Sequence, residues 1–264
     1  MTTSAIPRLT FRERFTAFRA TLVLFVIAIV VSLPALTGSE RDLDYFANLH
    51  QFAAKFFPPD LSIAQQVLTA LWETIQIAVM ATFVAASLAL PLAAAGSNTI
   101  APKWLNFAIR IVLNFIRTLP SLIWALVAVA VVGPNPLAGV IGLTFYSIGY
   151  LGKFFSDAFE SVDTSVSDGL REIGAHPIQA FQYGMLPQLK PLVLSHVLWM
   201  LEYNIRSAAI IGYVGAGGIG LLLHTYQEFG QWSRFSTVLL FILILVTTLD
   251  LFGEWLRAKI LRQD

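Results

Sequence analysis

The chain has 264 residues, 56% of them hydrophobic and 12% charged, and its mean hydropathy is +0.71. A soluble chain carries about 25% charged residues, so this one lacks the polar surface to cover itself in water, and lipid must solvate much of it. A net charge of +1 gives no reason for a nucleic-acid partner; the absence of cysteine excludes disulfides and thiolate chemistry, and His50, His176, His196 and His224 lack metal-ligand spacing.

A bilayer core takes about 20 apolar residues, and runs of that scale predict an all-α integral membrane protein with about six spans. The basic segment 1–19 leads into span one at 20–36. Its end, Pro34-Ala35-Leu36-Thr37-Gly38, is a poor cleavage site, so this reads as a retained helix rather than a signal peptide. Residues 37–65 form an external segment. In it Tyr45, Phe46, Leu49, Phe52, Ala53 and Phe56 fall near helical spacing ahead of Phe57-Pro58-Pro59-Asp60, which predicts a short amphipathic interfacial helix. The core occupies 66–257, with spans near Gln66–Ala95, Leu119–Gly133, Leu137–Phe155, Pro191–Tyr213 and Phe235–Leu256, and 258–264 is a tail. Gly133-Pro134 and Pro136 mark a tight turn between spans three and four.

Lysines and arginines set the orientation. With both termini inside, the inner segments hold Arg8, Arg12, Arg14, Arg19, Lys103, Arg110, Arg117, Lys153, Arg171, Lys190, Arg257, Lys259 and Arg262. The outer ones hold only Arg41, Lys55 and Arg234, and Arg206 is left as the one cation inside a span.

The inner segment 163–187 reads as a rigid helix-turn-helix. Ser165 and Asp168 form a capping-box signature, Pro177 pushes His176 out of the α region, and a second short helix follows from Ile178 until Pro187 redirects the chain. Leu170, Ile173, Ile178, Phe181 and Met185 need burial, either in a partner's groove or against the chain's own span ends. Span five holds Glu202-Tyr203-Asn204-Ile205-Arg206, then Gly212, Gly215, Gly217, Gly218 and Gly220. Glu202 and Arg206, at i and i+4, are placed to neutralise each other or to offer a cation to an anion in transit. Tyr146, Ser147, Thr74, Asn204 and Ser207 are further polar candidates along a path, against the competing reading that they bond to backbone or neighbouring helices. Glu73 and Asp250 fall in the outer and inner thirds of their spans, Asp250 reaching toward the inner interface. Gly215, Gly217 and Gly220 satisfy a dinucleotide fingerprint, but a membrane helix precedes them and no acid follows at the required distance. A helix break with close backbone packing fits better.

These two stretches resemble ATP-binding-cassette importer permeases. That family's inner loop carries Glu-Ala-Ala, a glycine six residues on, and Leu-Pro thirteen after it; here Gly174, Leu186 and Pro187 take those places. Asp168-Gly169-Leu170 replaces Glu-Ala-Ala, yet the start Asp168-Gly169-Leu170-Arg171 with Gly174-Ala175 is similar to the phosphonate-type branch. So is Glu-x-Asn-Ile-Arg followed by Gly-x-Val-Gly-Ala-Gly-Gly-Ile-Gly. The resemblance covers spans two to six and implies a type I importer permease in a prokaryotic cell membrane, working by alternating access. It further implies a coupling loop seated in an ATPase, a second permease copy (a homodimer), two ATPase subunits that bind ATP and Mg, and an external substrate-binding protein. The chain has no phosphate-cradling loop and no hydrolytic constellation, which makes it a transport subunit rather than an enzyme. The substrate implied is phosphonate, phosphite or phosphate. Methionine, or ion-coupled transport without an ATPase, is the alternative; only one glycine-broken site is present, where a carrier of that kind has two.

Overall fold

The computed structural model describes residues 11–36 and 44–261, with side chains from 18 to 259. Segment 1–10, the start of the external segment at 37–43 and the end of the tail at 262–264 lie outside the described residues, and with them Arg8, Arg41 and Arg262. The chain divides into two contact units, residues 1–52 and 53–264.

The first unit holds α1 (Phe11–Ser32), a 3-10 turn at Leu33–Leu36, and most of α2 (Tyr45–Lys55). Its apolar run, Phe18–Leu36, is long enough to cross a membrane, and none of its side chains is buried. The short helix expected in this stretch is present as α2, with Tyr45, Phe46, Leu49 and Phe52 exposed.

The second unit is built around α3 (Ala64–Gly96), α6 (Pro136–Ser161) and α9 (Leu186–Ile211). α3 and α6 run parallel along an alanine stripe, Ala78, Ala81, Ala85, Ala89 and Ala93, each fully buried. Without water to expel, small residues let helices approach until backbone and hydroxyl groups interact: Ser156 donates to the Ala93 carbonyl at 3.1 Å. α11 (Trp232–Leu261) packs on α9 and on α10 (Ile219–Glu228). At its start it holds the 56–60 loop, where Arg234 pairs with Asp60 at 3.1 Å, and Ser236 and Thr237 donate to the Phe56 and Asp60 carbonyls.

Span three departs most from the sequence expectation. Its apolar run is only α5 (Ser121–Val132), 12 residues or about 18 Å, too short for a bilayer. α4 (Lys103–Thr118) supplies the rest, bent 87° from α5. Pro120 causes the bend: it holds Leu119 extended (φ −94°, ψ 129°) and has no N–H to continue the helix. The freed carbonyl of Ile116 accepts from the Trp124 indole at 3.1 Å. α4 is turned inside out relative to a helix in water. Asn106, Arg110, Leu113 and Arg117 face the protein, while Trp104, Phe107, Ile111 and Phe115 are exposed. α4 lies closely on α6 because Gly149 and Gly152 leave room, and α5 does so at Gly142. A Cβ at Gly142 would stand 2.6 Å from Ala125 Cα, and one at Gly149 would stand 2.8 Å from Arg117 Cγ. Among the described residues, four single helices are long and apolar enough to cross a membrane, and six spans result if α4–α5 and the hairpin-to-α10 stretch each count as one broken span.

Candidate functional site

Three sites come from the predicted residues. The first is the 163–187 loop, which forms α7 (Ser165–Glu172), α8 (Pro177–Ala180) and a π turn, Phe181–Met185, running directly into α9. Pro187 therefore sits in the first turn of α9 and does not end the hairpin. The cap also differs from expectation. The Ser165 N–H donates to Asp163 Oδ1 at 2.9 Å, which holds the Asp163 carboxyl below its ordinary pKa. The capping box belongs to α8 instead: Ile178 N–H donates to His176 Nδ1, and His176 N–H donates to Gln179 Oε1. Gly174 turns the chain with φ +91°, which strains any other residue.

The apolar side chains divide between both expected fates. Met185 is buried and Phe181 stacks on Phe159 at 6.5 Å, so the inner half packs on the protein itself. Ile173 is 82% and Ile178 68% exposed, with Val166 and Tyr183 beside them, so the outer half presents an uncovered apolar face. Asp168, Gly169 and Arg171 lie exposed along α7, Leu170 and Ala175 are half-buried, and Leu186 is half-buried where α9 begins. Gly184 has a role the sequence did not reveal. A Cβ there would stand 2.8 Å from the Ser167 backbone, so this glycine lets α7 lie against the root of α9.

The second site is the glycine break. α9 ends at Ile211, a 3-10 turn covers Gly212–Val214, and α10 departs at 43°. Gly215, Gly217 and Gly218 have φ of 85°, 80° and 72°, a region that other residues enter at a cost. Each also touches a neighbour: Gly215 meets Pro134, Gly217 meets Glu73 and Pro136, and Gly218 meets Thr74. Gly212 and Gly220 face each other. Thr74 is 1% exposed; its hydroxyl donates to the Ala70 carbonyl and accepts the Ile219 N–H at 2.8 Å. The segment is a packed joint tying α3, α6, α9 and α10 together.

The third site lies at mid-span. Asn204, fully buried, donates to Thr82 Oγ1 and Ser147 Oγ at 2.9 Å, and these tie α9 to α3 and α6. Beside it Tyr146 stacks on Tyr203 with ring centroids 5.0 Å apart and lies 4.7 Å from Tyr150. The aromatic ladder continues through Phe154 to His196 and Trp199. Arg117 lies over the Tyr150 ring at 5.0 Å. It packs on Gly149, thirteen residues beyond the start of α6 and twelve before its end, so it stands at mid-span and not in an inner loop. An arginine at that depth costs about 2.5–3.5 kcal/mol on insertion scales.

Glu202 and Arg206 do not neutralise each other. Glu202, 9% exposed, pairs with Arg257 of α11, and Arg206 pairs with Asp250 at 3.5 Å. Their side chains face α11, whose antiparallel run brings two opposite charges to the same levels, and a cross-helix contact wins over the i, i+4 one. Asp250 consequently sits level with Arg206, in the half of α9 remote from the hairpin. Arg206 borders an apolar groove of about 720 Å³ between α9, α10 and α11. The structure thus joins Tyr146, Ser147 and Asn204, places Glu202 and Arg206 on another face, and sets Thr74 in the glycine joint. Ser207 is buried within α9.

Comparison with known proteins agrees with this architecture. Residues 85–262 match the family model described as binding-protein-dependent transport system inner membrane component. The phosphite transport system permease protein PtxC of Stutzerimonas stutzeri is 32% identical over 89% of this chain and 86% of its own length. The phosphate-import permease protein PhnE of Mycolicibacterium smegmatis is 28% identical over 78% of this chain and 39% of its own length. Among solved structures, the MetNI methionine ABC transporter in an inward-facing conformation has a chain that superposes with a TM-score of 0.68 at 22% identity, covering 76% of this chain and 99% of that one. The expected importer-permease fold is thus present, and the chain belongs to the binding-protein-dependent transport system inner membrane component family.

Proposed function

We propose that this chain is the permease through which a phosphorus oxyanion (phosphite, phosphonate or phosphate) enters the cell, driven by ATP hydrolysed on a separate subunit. The observation that carries the reading is the 32% identity that extends over nearly all of a phosphite permease, against 26% over 74% of this chain for a D-methionine permease. In this reading the termini and the 163–187 hairpin are cytoplasmic, which the arginine and lysine distribution supports. The uncovered Ile173–Ile178 face seats in an ATPase that binds ATP and Mg. Two copies of the chain enclose the path, and a binding protein delivers substrate from outside. The glycine joint and the Thr82–Ser147–Asn204 knot fix the helices that move as bodies during alternating access.

The test is reconstitution of the chain with its ATPase and binding protein in liposomes. ATP-dependent uptake of phosphite, methylphosphonate or phosphate, with no uptake of methionine, is the expected result. Methionine uptake without oxyanion uptake, or solute movement by the chain alone without ATP, overturns it. A cysteine pair placed across the proposed twofold, such as one at Trp199, tests the homodimer by cross-linking.

A further inference from the structure

We propose that Arg117 is the residue that receives the anion at mid-span and sets charge selectivity along the path, assisted by Tyr150, Tyr146 and Tyr203. The proposal rests on the reading of the chain as an oxyanion permease.

Arg110, Arg206, Arg234 and Arg257 each have a carboxylate partner, Glu160, Asp250, Asp60 and Glu202 respectively. Arg117 has none among the described residues. Its Nε is buried without a hydrogen-bond partner, where burial normally demands one. A cation kept at mid-span with an unspent donor and no carboxylate beside it fits a site whose counter-charge arrives with a ligand.

The arginine is also held in place. Its stem packs on Gly149, where any Cβ would collide with it, and its guanidinium rests on the Tyr150 ring. The Pro120 bend fixes the end of the helix that carries it. An arginine fork oriented in this way offers paired N–H groups, the geometry that matches two oxygens of a tetrahedral oxyanion. The Tyr146 ring lies 4.7 Å from that of Tyr150 and 5.0 Å from that of Tyr203, placing three phenols in the same neighbourhood. Behind them Asn204, Ser147 and Thr82 satisfy one another and do not compete for a ligand. The chemical class that suits the site is a small, multiply charged tetrahedral oxyanion.

The experiment uses the whole transporter in liposomes, with radiolabelled phosphite as probe and Arg117→Gln and Arg117→Lys as variants. The readouts are initial uptake rate and ATP hydrolysis stimulated by the loaded binding protein. Arg117→Gln is expected to lose roughly 10- to 100-fold in uptake, the value of a charged hydrogen-bonded contact, while stimulated hydrolysis stays within about twofold. Arg117→Lys, which keeps the charge without the fork, is expected to fall between Gln and wild type. Unchanged uptake in Arg117→Gln overturns the proposal. So does parallel loss of uptake and hydrolysis with no recovery in Arg117→Lys, because that outcome assigns Arg117 to holding the bend. A wild-type transporter that takes up no oxyanion defeats the permease reading itself, and this proposal with it.

Discussion

Removing Arg257 should harm the protein more than removing its partner, Glu202. The Glu202 side chain is 10% exposed and that of Arg257 25%, with Arg257 four residues from the end of α11. In Arg257→Gln a carboxylate remains buried in the packed α9–α11 seam with nothing to balance it, which costs about 3–5 kcal/mol. In Glu202→Gln the orphaned cation sits on a long stem near the helix end and extends toward water, so the cost falls to about 1–2 kcal/mol. The double variant removes both charges and should return to within about 1 kcal/mol of wild type, giving a coupling of about 3–7 kcal/mol. Unfolding in mixed micelles by titration with a denaturing detergent measures all four corners of the cycle. A double variant as unstable as Arg257→Gln alone would refute the pairing argument. The same geometry separates two charge exchanges. Glu202→Arg with Arg257→Glu keeps opposite charges facing, whereas Glu202→Arg with Arg206→Glu sets Arg against Arg257 and Glu against Asp250, and should fail to assemble.

Gly142→Ala should destabilise by about 1–3 kcal/mol, since the new methyl meets backbone atoms of Ala125 that cannot turn aside; the same unfolding titration measures it. Gly184→Val should push α7 off the root of α9 and uncouple ATP hydrolysis from transport while the protein still inserts, and full coupling in liposomes would count against the packing role of Gly184. Asp60 is held below its ordinary pKa by its hydrogen bonds to Ser62 and Arg234. Its stabilising contribution is therefore present above the unfolded carboxylate value near about pH 4 and lost as pH falls through the folded one. Thermal melts from pH 3 to 7 should show wild type and Asp60→Asn converging at the acid end and separating above it.

Four of the spans were legible because each is one uninterrupted apolar run, the pattern to which composition responds most directly. Span three was not. Its charges Arg110 and Arg117 resembled a loop, and only the 4-3-4 spacing of Asn106, Arg110, Leu113 and Arg117 signals a helix with its polar face inward. The hairpin was legible through Gly174 and Pro177, while its π turn and the Gly184 contact depend on which backbone comes near, and no local pattern records that. Glu202 and Arg206 were misread for a related reason. Helical spacing names the neighbours within one helix and says nothing about Arg257 and Asp250, some fifty residues away, which compete for the same charges. The glycine joint was recognised as a helix break, but its contacts with Pro134, Pro136 and Thr74 became visible only with the fold.

The kinked third span bears on how the chain enters the bilayer. Insertion machinery reads a continuous apolar stretch of about 19 residues; α5 offers 12, and extending it toward α4 adds Pro120 and Arg117. Neither half alone has that apolar length. Each finds its place by lying on the glycines of α6, a helix synthesised after both, so this crossing is completed only once the following one has been made. A lesion at Gly142 or Gly149 would then appear first as a topology error during synthesis, with the α4–α5 segment left on the wrong side of the membrane, before any loss of stability in finished protein.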